Sequence, residues 1–263
     1  MFRGFYAGTS AMLVQEKMLD VAANNLANVD TAGFRGRIAV NKAFPELLME
    51  KVDGQPGEVY PPKPERWKRR ELIGDMAFAN VLSETALDLR GGPLRHTGNS
   101  LDVAISGEGY FVVQDGAGNV FYTRSGHFLR DGEGRLVTHD GMAVQGQGGG
   151  VEFGDASRVS IDEGGQVLAD GEVVDLLRVV QFASPTYLRQ EGNSLLSETE
   201  TSGAPEDLEN LQLASEFLEM SNVNVVSEMV RMIEANRAYE SAAKTVTIQD
   251  ESAGKLIQTY GRG

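Results

Sequence analysis

AANNLANVDTAGFRGR, residues 22–37, begins as helix and ends as something else. Leu19, Ala22 and Leu26 keep helical spacing until Asp30, Thr31, Ala32 and Gly33 arrive together and stop the pattern. Asn24, Asn25 and Asn28 stand out, because asparagine is a mediocre helix former whose side chain competes for backbone hydrogen bonds. Three in five positions imply partners elsewhere.

Working outward, the chain divides into three regions. All eight prolines lie between Pro45 and Pro205, and 19 of the 31 glycines fall within residues 91–172, so both ends are nearly free of helix breakers while the middle is rich in turn formers. The expected fold class is α+β: N- and C-terminal helices pair as a helical-seam domain, and a central antiparallel, Gly-rich β domain lies between them. The expected boundaries are 1–44 and 215–263 for the terminal helical assembly domain, 45–80 for a linker or extended segment, and 81–214 for the β domain. Within 45–80, the stretch GQPGEVYPPKPERWKRRE, residues 54–71, is Pro-rich and locally basic.

At the N-terminus Phe5, Met12, Leu19 and Leu26 recur every seven residues, interleaved with Gly8, Gln15, Ala22 and Val29. At the C-terminus the same alternation of three and four runs through Val225, Met229, Met232, Asn236, Tyr239, Ala243, Val246, Asp250, Ala253, Ile257 and Tyr260. Both stripes have the 3.5-residue period of a helix seam rather than a broad globular face. Two helices alone bury too little surface to offset the ordering of their residues, so further copies are expected to complete the packing. In an isolated copy, residues 1 to about 30 and about 222 to 263 are expected to be mobile, while 80–185 stay folded.

In the middle, residues 101–146 cluster Val, Ile, Phe and Tyr between Asp115-Gly116, Asp131-Gly132 and Asp140-Gly141, dipeptides that favour hairpin turns through positive φ. A second strand group spans 159–183. Alternation is expected to bury most of Tyr110, Phe111, Phe121, Tyr122 and Phe128.

Composition narrows the function classes. The chain has 263 residues, 41% of them hydrophobic, which is enough for one substantial core or two modest ones. The net charge of −14 argues against nucleic-acid binding. No apolar run reaches the ~20 residues of a membrane span, and the N-terminus lacks the apolar centre of a cleavable signal peptide. The absence of cysteine excludes disulfides and thiol chemistry, and leaves His96, His127 and His139 as nitrogen ligands, each in turn-rich sequence. The cluster Gly146, Gly148, Gly149 and Gly150 lacks the strand-to-helix context of a phosphate loop. No catalytic, cofactor or metal residues are assigned, and no cofactor is expected. Between Arg189 and Arg231 there is no Lys or Arg but there are nine carboxylates, Glu219 and Glu228 among them, expected to form a solvated acidic surface.

ANNLANVDTAGFR, residues 23–35, resembles the N-terminal signature of the bacterial flagellar rod and hook proteins. SNVNVVSEMVRMIEANRAYESAAK, residues 221–244, resembles their C-terminal motif. TGNSLDVAISGEGYFVVQ (97–114), YTRSGHF (122–128) and LVTHDGMAVQG (136–146) resemble their central β domain.

The resemblance implies a self-assembling tubular subunit, with terminal helices from many copies forming an inner wall. Its partners would be other copies of itself, other rod and hook proteins and the flagellar export apparatus, with no nucleic acid and no membrane insertion. The assembly interface would include Met12, Leu19, Asn24, Asn25, Leu26, Asn28, Val225, Met229, Met232, Asn236, Tyr239, Ala243, Val246 and Ile257, with the asparagines bonding neighbouring subunits or backbone and fixing register. Thr31, Gly33 and Phe34 would form the turn motif, Gly33 taking the left-handed conformation. A single small β region favours rod over hook, and RGGPLRHTGNSLDVAI with DESAGKLIQTYG favours the proximal, FlgF-like type over the distal, FlgG-like one. The alternatives are a hook-type axial protein and a secreted surface fibre or glycan-binding protein.

Overall fold

The computed structural model describes residues 2–51, 71–192, 194–208 and 211–260, with only the backbone of 2–3, 41–51, 71–84 and 260. The chain is α+β, with helix α1 at Phe2–Ala27, helix α2 at Val225–Tyr260 and antiparallel strands between them. It divides into two compact units: residues 1–20, 39–85 and 231–263 form one, and 21–38 with 86–230 form the other.

In the first unit α1 and α2 run antiparallel at close range. A Cβ on Gly4 would overlap the Gln249 side chain, and one on Gly8 would stand 2.6 Å from Val246 Cγ2 and 3.7 Å from the Ala242 carbonyl oxygen. Small residues permit that approach, as glycine has no side chain to hold the backbones apart.

The packed stripe differs from the expected one. Along α2 the covered positions are Glu228, Met232, Ala235, Tyr239, Ala242, Val246, Gln249 and Ala253, while Asn236 is exposed. The period is still 3.5, but every other position falls one residue earlier than a count of bulky side chains selects. Along α1 the buried positions are Gly8, Val14, Ala22 and Asn25, and Met12, Leu19 and Leu26 are half-buried. Close helix contact selects small residues, so Ala235 takes the place expected for Asn236, while Ala242 and Ala243 are both half-buried.

Strands Arg37–Lys51 and Glu71–Leu87 pair as a two-stranded sheet. The described ends of the segment read as linker, 45–51 and 71–80, are thus paired strand rather than free extended chain. Apart from Glu71, the Pro-rich stretch 54–71 lies outside the described residues.

The second unit carries the β core. Its main sheet runs in the order Arg189–Gln190, Leu195–Ser197, Val120–Thr123, Tyr110–Gln114, Ala143–Gly146, Leu136–Thr138, Phe128–Arg130. Tyr110–Gln114 is covered on both faces: Phe111 and Val113 pack with Phe128, Leu136 and Val144, whereas Tyr110 and Val112 pack with Tyr122, Val180 and Phe182. Alternation therefore buries aromatics on two sides of one strand, and of the five named only Phe121 is half-buried.

The hairpin turns correct one expectation. At Asp115 and Asp131 the residue with positive φ is not the adjacent glycine but the one three positions on, Gly118 (φ 92°) and Gly134 (φ 76°). Asp115 Oδ1 accepts from the Ala117 and Asn119 amides, and Asp131 Oδ1 from Glu133 and Arg135. The carboxylate caps a five-residue loop, which leaves the left-handed corner to the fourth residue. Asp140-Gly141 keeps the expected form, with Gly141 at φ 80°.

Burial pushes the Tyr122 hydroxyl up to about 12, helped by Glu198, whose Oε2 accepts its hydrogen bond at 3.3 Å. The folded chain thus holds this proton more tightly than the unfolded chain does. Its contribution to stability is complete below the ordinary value of about 10 and is lost as pH climbs towards 12. Thermal melts between about pH 9 and 11.5 should show falling stability, and Tyr122→Phe should flatten the slope.

Candidate functional site

The two terminal motifs meet in the second unit, where residues 25–37 lie against Glu219–Glu228. Asn25 is buried within α1. Its Oδ1 accepts from the Arg37 amide at 2.8 Å, its Nδ2 donates to the Arg37 carbonyl at 2.9 Å, and the same nitrogen lies 3.4 Å from Glu228 Oε2. The carboxamide replaces a neighbouring strand for Arg37 and thereby anchors the exit of the helix. Asn28 Nδ2 donates to the Asn24 carbonyl at 2.9 Å, closing the last turn of the helix, and its Oδ1 accepts from Thr31 Oγ1 at 3.3 Å. Asn25 is 2% exposed, and its side chain bonds this chain's own backbone, the second of the two partners expected for the asparagines. Asn24 lies exposed.

Gly33 has φ +68° and donates its amide to the Glu219 carbonyl at 2.7 Å. A Cβ there would stand 2.2 Å from the Ser125 nitrogen. Conformation and space both demand glycine. Phe34 follows, 2% exposed. Gly36 donates to Asn222 Oδ1 at 2.8 Å, while Asn222 Nδ2 donates to the carbonyls of Asp88 and Arg90, each at 2.9 Å. One asparagine so joins three chain segments. Asn224 caps α2, its Oδ1 accepting from the Ser227 amide at 3.0 Å.

Beneath the turn lies a buried triad. Glu219 Oε1 pairs with Arg35 Nη2 at 2.8 Å, and Glu219 Oε2 with Arg124 Nε at 2.6 Å. Arg124 also donates to the carbonyls of Ile105, Gly107 and Gly109, and Arg35 to that of Arg90. All three side chains are at least nine-tenths buried. Burial pulls the Arg35 guanidinium below its ordinary value, with Glu219 opposing, and it stays charged. The hydroxyl of Tyr110 is raised, mainly by burial.

The sequence reading missed Arg35, Arg124, Glu219 and Asn222 as a group. Glu219 and Glu228 belong to the run read as a solvated surface, yet both are buried, because their partners lie far away in sequence. The one available signal was Arg124, a lone cation between strand residues and Gly126.

A further cluster joins two of the central motifs. Asp102, 3% exposed, accepts from Thr97 Oγ1 at 2.7 Å and Asn99 Nδ2 at 3.1 Å, and pairs with His127 Nδ1 at 2.8 Å. Among the described residues no three His, Asp or Glu side chains are placed to hold a metal, and no helix is long and apolar enough to cross a membrane.

Of the expected interface residues on α2, Val225 (38% exposed), Met229 (50%), Asn236 and Ile257 (72%) face solvent. Met232, Tyr239, Ala243 and Val246 are half-buried. They fall on two faces of α2 rather than in one seam.

Three family models match the chain. One described as flagella basal body rod protein covers residues 5–35, one described as flagellar hook protein FlgE/F/G D1 domain covers 104–169, and one described as flagellar basal body rod FlgEFG protein C-terminal covers 214–259. The chain is 33% identical over 271 residues to the flagellar basal-body rod protein FlgG of Bacillus subtilis (strain 168), covering 98% of each. It is 33% identical over 266 residues to FlgG of Agrobacterium fabrum, covering 95% of this chain and 97% of that one. It is 30% identical over 265 residues to the flagellar basal-body rod protein FlgF of Caulobacter vibrioides, covering 100% and 99%.

Proposed function

Because the chain belongs to the flagellar basal-body rod protein family and is a structural rod protein, we propose that it works by polymerising into a tubular shaft through the outward faces of its terminal helices. The supporting observation is the apolar surface that α2 leaves open. Val226, Met229, Val230 and Ile233 are 48–70% exposed at i, i+3, i+4 and i+7, and Ile248 and Ile257 are exposed further along. An apolar helical face beside an already covered stripe marks contact with further copies. Expected partners are other copies, other rod and hook components and the flagellar export apparatus.

Relatives named FlgG and FlgF match over nearly the whole chain at similar identity, so proximal placement rests on residues 90–105 and 250–261 alone. Labelling the subunit in isolated basal bodies would place it along the rod.

Met229→Glu combined with Ile233→Glu tests the polymerisation. The pair is exposed, so the purified chain should melt within a few degrees of the wild type, whereas rods should fail to form and motility should be lost. Normal rods would overturn the proposal. Asn236→Leu, also exposed, should leave folding unchanged but give irregular assemblies, and regular rods would deny the asparagine a role in register.

A further inference from the structure

Next to the turn motif lies a cavity of about 400 Å³, lined by Asn28, Thr31, Ser125, His127, Thr138 and Ser194 among others. The N-terminal signature and two of the central motifs each contribute to its wall. Ser194 decides its meaning. The residue is 6% exposed, and its Oγ finds no hydrogen-bond partner among the described residues. Its backbone sits at φ +64°, a conformation that residues with a side chain rarely adopt. Thr123 Oγ1 donates to the Ser194 carbonyl at 3.2 Å and so holds the residue in place. A buried hydroxyl without a partner is uncommon in a native fold and requires an explanation.

The other groups in the wall define what would fit. Asn28 and Thr31 already bond each other and the end of the helix. His127 directs Nδ1 at Asp102, so with that nitrogen protonated its Nε2 is an acceptor. Thr138 Oγ1 accepts from the Met142 amide at 3.2 Å, which leaves its proton to be donated. Hydroxyl donors, the imidazoles of His127 and His139 and the acceptor oxygens of Asp140 together suit a group that carries both a carbonyl and an N–H.

We propose that this cavity receives a peptide or carboxamide group from a second copy of this chain, and that Ser194 Oγ donates its otherwise unmade hydrogen bond to the carbonyl. A second copy is the occupant because the polymerisation proposed above brings one against each subunit, and the inference rests on that reading. Ser194 is then unsatisfied in the single chain and satisfied in the assembly.

Ser194→Ala separates these two states. Thermal melts of the purified chain should be unchanged or slightly raised, because the single chain loses no bond. The critical concentration for assembly, measured by sedimentation, should rise about 3–10-fold, the equivalent of one hydrogen bond. A lowered melt would show that the hydroxyl already has a partner within the chain, and would overturn the proposal. An unchanged melt with an unchanged critical concentration would mean that water alone fills the cavity, which also overturns it. If Met229→Glu with Ile233→Glu also assembled normally, the polymerisation reading itself would fail, so the two failures are distinguishable.

Discussion

Gly33→Ala is expected to cost about 2–5 kcal/mol, a large share of the ~5–15 kcal/mol that holds a domain folded. Two penalties combine. Holding alanine at φ +68° costs about 1–2 kcal/mol. The added Cβ meets backbone at 2.2 Å (Ser125 N) and 2.5 Å (Arg124 C), which no side-chain rotation relieves, and overpacking of this kind costs about 1–3 kcal/mol more. Moving the turn away would stretch the amide contact with the Glu219 carbonyl and lift Phe34 from its pocket. Urea denaturation of the second unit's β core should show the loss, and cells carrying the variant should lack rods. Gly116→Ala is the control: its Cβ enters open space and its φ is not positive, so stability should change by less than about 0.5 kcal/mol.

Glu219→Gln should be of similar size, about 3–5 kcal/mol, the usual result of removing one partner from a buried ion pair. The amide keeps the shape but removes the charge that balances two buried guanidiniums, and these already repel each other. Arg35→Met in the Glu219→Gln background should recover part of the loss by removing one unbalanced cation. The midpoint of urea unfolding for the single and double variants measures this. If Glu219→Gln shifts the midpoint by less than 1 kcal/mol, the triad is not an electrostatic unit.

Gly33 and Glu219 differ in how well the sequence announced them. Gly33 follows a helix that has run out of apolar positions, so its left-handed conformation was readable locally. Glu219 sits in a run of carboxylates, where local reading assigns it to solvent. Nothing within forty residues before it supplies the buried Arg124 and Arg35 that make its burial tolerable.

The helix pair shows the same division. The 3.5-residue period was legible, because it depends only on spacing along one chain. The face that packs was not, because bulky residues dominate a count of apolar positions whereas close approach favours Gly8, Ala235 and Ala242. The two stripes lie side by side on α2, and only contact with α1 decides between them.

By itself the sequence determined the two terminal helices, the β character of the middle, the turn at Gly33 and the resemblance to rod and hook proteins, because each rests on periodicity, local conformation or contiguous motifs. The tertiary structure decided that Asn25 serves its own backbone, which stripe of α2 is covered, how Arg35, Glu219 and Arg124 share charge, and that Ser194 lacks a partner. Each of these depends on which distant segments come together, and spacing within one segment carries no record of its neighbour in space.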